Sequence, residues 1–396
     1  MRVLVTCPPG FGHLNPIIPL AAALRDRGHR VVFASSASFA PAVTRRGFDC
    51  IACGLDWTQS ADSDTSDRPQ LDAELVRYEW IAATATASAG HLLRAIRELS
   101  PDVLVHDFYE FGAHIAAEIA GIRHASVLAG ELGPLQPVQA VLLDPISHVR
   151  RYYGLERDET LKGLFGELCI DLYPIGLRRY ALTGLTDNAR SVLPDPTGDA
   201  DWDLAPIPQS CWQEWLAAER ALEHEDGPIV FATLGTVYAN RVDVLATLVG
   251  ALANQARCLV VGCGPGGSIT APARPRGRFA VVDYVPQSAV IPHCDVVVHH
   301  AGYGATVAAL TYGKPALTVP LGADQPANSA AAVRAGVAKE LRSERLDPDT
   351  LGAAIGEVLT SPGIRAGLAN YAAASSRLPT MNDAVGWLEE LASGKT

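Results

Sequence analysis

Residues able to do chemistry are most concentrated in Asp295-Val-Val-Val-His-His-Ala-Gly-Tyr-Gly-Ala-Thr306. The β-branched run reads as a buried strand. The glycines after it open a helix, whose free N–H groups and positive dipole end suit a phosphate. Gly302 and Gly304 let a ligand approach the backbone, His300 can hydrogen-bond a phosphate oxygen, and Thr306 can add a hydroxyl in the first turn. Taken alone, the segment is equally an ordinary strand-to-helix turn with a packed histidine. A second turn, Gly262-Cys-Gly-Pro-Gly-Gly267, has the glycine spacing of a dinucleotide site. Asp283 follows about 20 residues on, where a ribose-binding acid would lie in an NAD-dependent oxidoreductase. The stretch Ser268 to Arg278 is, however, rich in Pro and Arg and too short for the crossover helix that such a site requires. Cys50-Ile-Ala-Cys53 has the spacing of a metal or redox pair but no second pair, and it reads as strand core. Asp62-Ser-Asp64, Asp201-Trp-Asp203 and Asp347-Pro-Asp349 lie in loop-like or helix-starting sequence and read as solvated acids. His224-Glu225 is not followed by a second histidine at helical spacing, so zinc has no support.

These residues need a scaffold. A chain of 396 residues predicts two or three domains at roughly 150 residues each. Apolar residues make up 48% and charged residues 19%, a composition that builds cores and not a disordered chain. With 43 acidic against 32 basic residues, the formal charge is -11, and no Lys or Arg stripe exists to neutralise nucleic-acid phosphates. The eight cysteines are scattered and form no disulfide framework. The N-terminus enters Arg2-Val-Leu-Val-Thr6 directly, without the order of a signal peptide, and no apolar stretch reaches the roughly 18 residues of a bilayer span. A cytoplasmic protein without membrane or nucleic-acid partners is expected.

Strand and helix patterns alternate along the chain. Val3–Val5, Val31–Ala34, Asp102–His106 and Ala125–Leu128 read as strands, with a helical run from Pro16 to Leu24 closed by Gly28. The segments from Ser60 to Arg68 and from Gly130 to Pro145 read as loop insertions. After a Pro-, Asp- and Gly-rich linker at Pro194–Pro208 comes a second series. Its strands are Ile229–Thr233, Cys258–Val261, Phe279–Asp283, Val296–His299 and Pro315–Val319, and its helices are Arg241–Gln255, one from Gly304 and one from Gln325. Alternation of this kind implies parallel sheets with both faces covered. The expected fold is α/β, two Rossmann-like doubly wound domains facing each other across a cleft, with ligands at the carboxyl ends of the strands. The expected domains are 1–205 and 206–378, followed by a C-terminal helical segment at 379–396.

Tyr284-Val-Pro-Gln287 precedes the His300 segment, and Asp324-Gln325 and Asn328 follow strand Pro315–Val319. In that order, with Cys294-Asp295 and Gly313-Lys-Pro315, the set resembles the donor signature of family 1 GT-B glycosyltransferases, especially bacterial enzymes that glycosylate natural products. The likeness covers most of the second domain. In the first, Gly10-Phe-Gly-His13-Leu-Asn-Pro16 is similar to the family's N-terminal loop, and Thr233-Leu-Gly-Thr236 is similar to its diphosphate-facing turn. Bacterial relatives commonly read His-Gly-Gly-Ala-Gly-Thr where this chain has His300-Ala-Gly-Tyr-Gly-Ala305.

The resemblance implies roles. Tyr284 would stack on the nucleotide base, with Val285 and Gln287 holding base and ribose. Gly235, Thr236, His300, Gly302, Tyr303, Gly304, Ala305 and Thr306 would grip the diphosphate, and Asp324 and Gln325 the sugar hydroxyls. His13 would be the base that takes the acceptor proton, oriented by Asp107, with His106 the next candidate. Inverting transfer without metal or other cofactor is implied, from a nucleoside diphosphate sugar, with thymidine diphosphate and a deoxysugar common among similar enzymes. The acceptor would be a hydroxyl of a hydrophobic small molecule, bound in the first domain near Gly12 and by Trp57, Tyr78, Trp80, Phe108 and Tyr109, although such aromatics are individually more often core. Self-association as a homodimer is compatible with this reading. Three other readings stand beside it: a nucleotide-sugar epimerase of the same architecture, the oxidoreductase above, and a non-catalytic auxiliary protein with a degenerate donor turn.

Overall fold

The structure is a computed structural model that describes residues 1–56, 73–132, 135–182, 185–201, 209–221, 227–235, 241–252, 256, 258–263 and 278–394. By internal contacts these fall into two units, one of residues 1–173, 180–193 and 378–396, the other of residues 174–179 and 194–377.

In the first unit, seven parallel strands stand in the order β3 (Asp49–Ala52), β2 (Arg30–Ser35), β1 (Arg2–Thr6), β4 (Val103–Asp107), β5 (His124–Leu128), β6 (Leu168–Asp171) and β7 (Ala189–Ser191). Its helices are α1 (Phe11–Asp26), α2 (Ala40–Thr44), α3 (Ala73–Leu99), α4 (Ala113–Ala120), α5 (Leu135–Tyr152) and α13 (Met381–Ser393). β4 and β5 are buried at every residue, as a parallel strand covered on both faces must be. One core layer gathers Leu4, Ala34, Leu92 and Leu104, and another Ile81, Phe108, Ile115, Ile146 and Phe165. The segment expected to be a loop up to Pro145 is largely α5. Pro137 lies in the helix's first turn, where a missing N–H costs nothing, while Pro145 interrupts the interior and obscures the period.

α13 begins with a capping box of Thr380 and Asp383 and buries Met381, Val385, Leu388 and Leu391. Arg27 and His29 both bond to Glu389, at 2.7 and 2.9 Å, and the Arg190 guanidinium lies 5.0 Å from the centre of the Trp387 ring.

The second unit has six parallel strands in the order β10 (Arg278–Val282), β9 (Cys258–Gly262), β8 (Ile229–Thr233), β11 (Val296–His299), β12 (Ala316–Thr318) and β13 (Ala338–Glu340). Around it stand α6 (Gln209–Ala221), α7 (Val242–Leu252), α8 (Gln287–Val290), α9 (Tyr303–Thr311), α10 (Gln325–Arg334), α11 (Pro348–Thr360) and α12 (Pro362–Ser375). The expected boundary at 205/206 falls inside this unit, because Asp199 accepts hydrogen bonds from the backbone N–H groups of Gln287 and Ser288 and thereby caps α8. Among the described residues, no helix is long and apolar enough to cross a membrane.

Both sheets bury imidazoles. Burial pushes His106 and His299 down to about 3 and His124 to about 4, and it holds His114 well below the ordinary histidine value. Neighbouring imidazoles add to the fall for His106, His114 and His299. The unfolded chain therefore binds more protons than the folded one below about pH 6.5, and stability must fall as pH drops from there toward about 3 to 4. Melting temperature measured against pH is expected to decline steadily below pH 6.5. A flat profile between pH 7 and 5 would contradict this burial of neutral histidines.

Candidate active site

In each doubly wound sheet, the strand order reverses at one point, and the loops on its two sides diverge to leave a crevice. In the first unit that point lies between β1 and β4. The chain leaves β1 through Cys7-Pro-Pro-Gly10 and enters α1 with no side-chain cap, which puts His13 in the first turn. Thr6 pairs with His106, so Asp107 ends β4 one residue beyond β1.

The two side chains meet, with His13 Nδ1 3.2 Å from Asp107 Oδ1. The Asp107 side chain is 3% exposed and that of His13 28%, so the carboxylate is anchored and the ring reaches solvent. Asp107 Oδ1 also accepts the Tyr109 N–H at 2.8 Å, and the Tyr109 ring meets His13 edge-on with centroids 5.6 Å apart. A carboxylate only accepts, so it selects the tautomer with hydrogen on Nδ1 and leaves the Nε2 lone pair to take a proton.

Glu110, which the sequence reading passed over, lies in the same turn. Burial raises its carboxyl to about 7, with the Asp107 charge acting in the same direction and Ser88 and His13 acting against it. His106 does not share the site. It is fully buried, with Nδ1 3.0 Å from the Asp107 carbonyl and Nε2 3.0 Å from His124 Nδ1, and this removes it as an alternative base.

In the second unit the reversal lies between β8 and β11. Gly235 follows β8 with φ 73°, and His300 follows β11, succeeded by Ala301 at φ 65° and by Gly302 at the N-cap of α9. The His300 ring occupies the space that side chains at these glycines would need. A Cβ on Gly235 would stand 2.6 Å from His300 Cε1, and one on Gly302 2.3 Å from Nε2. Burial pulls His300 down to about 4 against the opposing pull of the Thr233 backbone, and its buried Nδ1 has no hydrogen-bond partner among the described residues.

The N-terminal turn of α9 varies in what it presents. Gly304 is exposed, Tyr303 half-buried and Ala305 buried. Thr306 does not present its hydroxyl to a ligand, because Oγ1 donates to the Gly302 carbonyl at 3.0 Å and the residue is 6% exposed. Thr236 lies outside the described residues.

Tyr284, Val285 and Gln287 form the turn between β10 and α8. The Tyr284 hydroxyl donates to the Asp199 carbonyl, Val285 is buried, and Gln287 Oε1 is a buried acceptor without a partner among the described residues. Asp199, far away in sequence, thus fixes this whole turn. After β12, Asp324 is exposed and its Oδ2 accepts from Asn328 Nδ2 at 2.9 Å. Gln325 is buried, with Oε1 taking the N–H groups of Leu321 and Gly322, so its amide NH2 is the end left for other work.

Of the aromatics expected to meet an acceptor, Phe108 is 1% exposed and locked between Phe111, Phe165 and Tyr109, so it is core. Trp80 is 41% exposed on α3, and Tyr78 packs edge-on to His148 of α5 with ring centroids 6.3 Å apart. Gly12 is exposed beside His13, and Trp57 lies outside the described residues. Of the candidate acid pairs, Asp347 caps α11 through the N–H groups of Asp349 and Thr350, while Asp62, Asp64 and Asp203 lie outside the described residues, as do His224 and Glu225. Most of the Gly262–Gly267 turn, from residue 264 on, lies outside them too. Among the described residues, no three His, Cys, Asp or Glu side chains gather as metal ligands would.

Residues 249–391 match the erythromycin biosynthesis protein CIII-like C-terminal domain family. The chain is 29% identical over 375 residues to the L-demethylnoviosyl transferase of Streptomyces niveus, covering 92% of this chain and 90% of that one. It is 25% identical to the 3-alpha-mycarosylerythronolide B desosaminyl transferase of Saccharopolyspora erythraea, across 100% and 99% of the two chains. Its fold matches the crystal structure of the glycosyltransferase VinC in complex with dTDP, with TM-score 0.78, 23% identity and coverage of 99% and 100%. It also matches the calicheamicin glycosyltransferase CalG4, with TM-score 0.77, 18% identity and coverage of 98% of each chain.

The packing of His300 can be tested without any ligand. Gly302→Ala drives a methyl into the ring and is expected to cost about 1 to 3 kcal/mol of stability. Gly304→Ala, with open space around its Cβ, is expected to be neutral or to stabilise by up to about 1 kcal/mol. Thermal denaturation of the two variants decides it, and equal effects would refute the steric argument.

Proposed function

We propose that this chain, a GT-B protein of the glycosyltransferase family that serves actinomycete natural-product biosynthesis, moves a sugar from a thymidine diphosphate donor to a hydroxyl of a hydrophobic small molecule, with inversion at the anomeric carbon. The observation that carries the mechanism is the bond between His13 Nδ1 and Asp107 Oδ1, which leaves Nε2 as a proton acceptor at a partly exposed position.

In this reading, Nε2 takes the proton of the acceptor hydroxyl as its oxygen forms the new bond to the anomeric carbon. The bond from that carbon to the diphosphate breaks at the same time, and the diphosphate leaves with the electron pair. Asp107 stabilises the imidazolium that His13 becomes. The α9 N-terminus and His300 stabilise the negative charge that grows on the leaving diphosphate. A neutral His300, as its burial dictates, serves as a hydrogen-bond donor without needing a proton from solvent. These groups supply the charge stabilisation that a divalent ion provides in other transferases, so turnover is expected to survive a chelator.

Thymidine diphosphate is the choice of donor nucleotide because VinC was crystallised with it and SsfS6 was crystallised with it too. Sugar transferases named for amino and deoxy sugars, the desosaminyl and mycarosyl enzymes among them, favour a deoxysugar. The half-exposed Tyr109 beside His13 and the exposed Trp80 suit an apolar aglycone.

Thermal denaturation with thymidine diphosphate, uridine diphosphate and NAD tests the class of ligand, because a ligand at 100 times its dissociation constant adds about 2.7 kcal/mol. A shift with thymidine diphosphate and none with NAD is expected, and a shift with NAD alone would overturn the reading. His13→Ala is expected to lose about 100- to 10,000-fold in turnover while nucleotide binding persists. His300→Ala is expected to weaken nucleotide binding. Unimpaired turnover in His13→Ala would sink the mechanism.

A further inference from the structure

Two turns of the second unit carry an alanine in the left-handed region, Ala301 at φ 65° after β11 and Ala323 at φ 53° before α10. A residue with a Cβ adopts that backbone at an energetic cost, and it persists only where the surroundings over-determine it. One buried side chain, Asn328, ties the two turns together. It is 1% exposed, and its Nδ2 donates to the Ala301 carbonyl at 3.1 Å and to Asp324 Oδ2 at 2.9 Å. A primary amide has two N–H bonds on one nitrogen, and here they hold two acceptors from different strand ends at a fixed angle.

The consequence for Asp324 is specific. The residue is exposed, and an unrestrained aspartate there would sample several rotamers, whereas the bond to Asn328 picks one. Its neighbour Gln325 is likewise set, because its Oε1 accepts the Leu321 and Gly322 N–H groups and so fixes the plane of the amide. An oriented acceptor and an oriented donor on adjacent residues are what recognition of neighbouring hydroxyl groups requires. The carbonyl of Ala301 belongs to the turn that leads from His300 into α9, so the same amide fixes where the sugar-facing carboxylate stands relative to the phosphate-facing helix end.

We infer that Asn328 is a positioning residue that locks Asp324 to the Ala301 turn, and that this lock is what gives the donor site its discrimination for the sugar of a sugar nucleotide. The inference rests on the donor reading of the second unit given above and adds to it a residue that touches no donor atom itself.

Calorimetric titration of the full chain with thymidine diphosphate and with thymidine diphosphate glucose tests it, on wild type, Asn328→Ser, Asp324→Ala and the double variant. Serine adds no charge and is too short to span both acceptors, and Asn328→Ala serves if the serine variant does not fold. The readout is the ratio of the two dissociation constants, sugar nucleotide over nucleotide. Asn328→Ser is expected to raise that ratio about tenfold, the worth of one bond to a charged group, while the nucleotide alone changes less than about threefold. In the Asp324→Ala background the same change is expected to leave the ratio unmoved, because the lock then has nothing to hold. Equal weakening of both ligands, or undiminished loss in the Asp324→Ala background, would overturn the inference while leaving the donor reading intact. A wild type that binds neither ligand would overturn the donor reading and the inference with it.

Discussion

The constraint on which everything else depends is the order in which the parallel strands are laid down. An all-parallel sheet must be wound in right-handed crossovers with helices on both faces, so a doubly wound sheet has one place where successive connections depart to opposite sides. There the backbone is pulled apart, and polar groups can stand at the end of a strand without being sealed into the core. His13 and Asp107 flank that place in the first sheet, and Gly235 and His300 flank it in the second. The same topological rule explains why the His13 and Asp107 side chains are neighbours in space although 94 positions separate them in sequence.

Each reversal point is used differently. In the first, a nearly fully buried carboxylate holds a partly exposed imidazole. In the second, the imidazole is itself the enclosed group, pressed between Gly235 and Gly302, and its low basicity keeps it a neutral donor. The glycines at 235 and 302 are demanded by the ring. That gives the His-Ala-Gly-Tyr-Gly-Ala turn a rationale despite its difference from the His-Gly-Gly-Ala-Gly-Thr pattern: Ala301 takes up the left-handed backbone, at a cost, and Asn328 holds it there.

Much of this was legible in the sequence, and the failures are instructive. The buried strands were readable because a parallel strand covered on both faces is a continuous apolar run, as in Val296–His299. Pairing of His13 with Asp107 came from a resemblance, since nothing in spacing alone brings residues that far apart together. α5 was missed because prolines at 137 and 145 masked its period. Phe108 was misassigned because an aromatic beside a catalytic-looking aspartate looks the same in sequence whether its ring turns inward or outward. Thr306 was given a ligand role that its bond to Gly302 leaves no room for. Asp199 could not have been foreseen, because a linker aspartate reads as solvated until the chain folds it over the start of α8.

α13 carries a consequence for how the chain is made. Residues 378–396 complete the unit that residues 1–173 begin, and the whole second unit lies between them in sequence. The face of α1 against which α13 packs, and the Arg27 and His29 side chains that hold Glu389, exist long before their partner does. At about 5 to 20 residues per second of synthesis, that interval lasts on the order of ten seconds or more. During it the first unit lacks the helix that buries Met381, Val385, Leu388 and Leu391. Its completion waits on synthesis of the second unit, so that a ribosome halting anywhere in that unit leaves behind a first unit without α13.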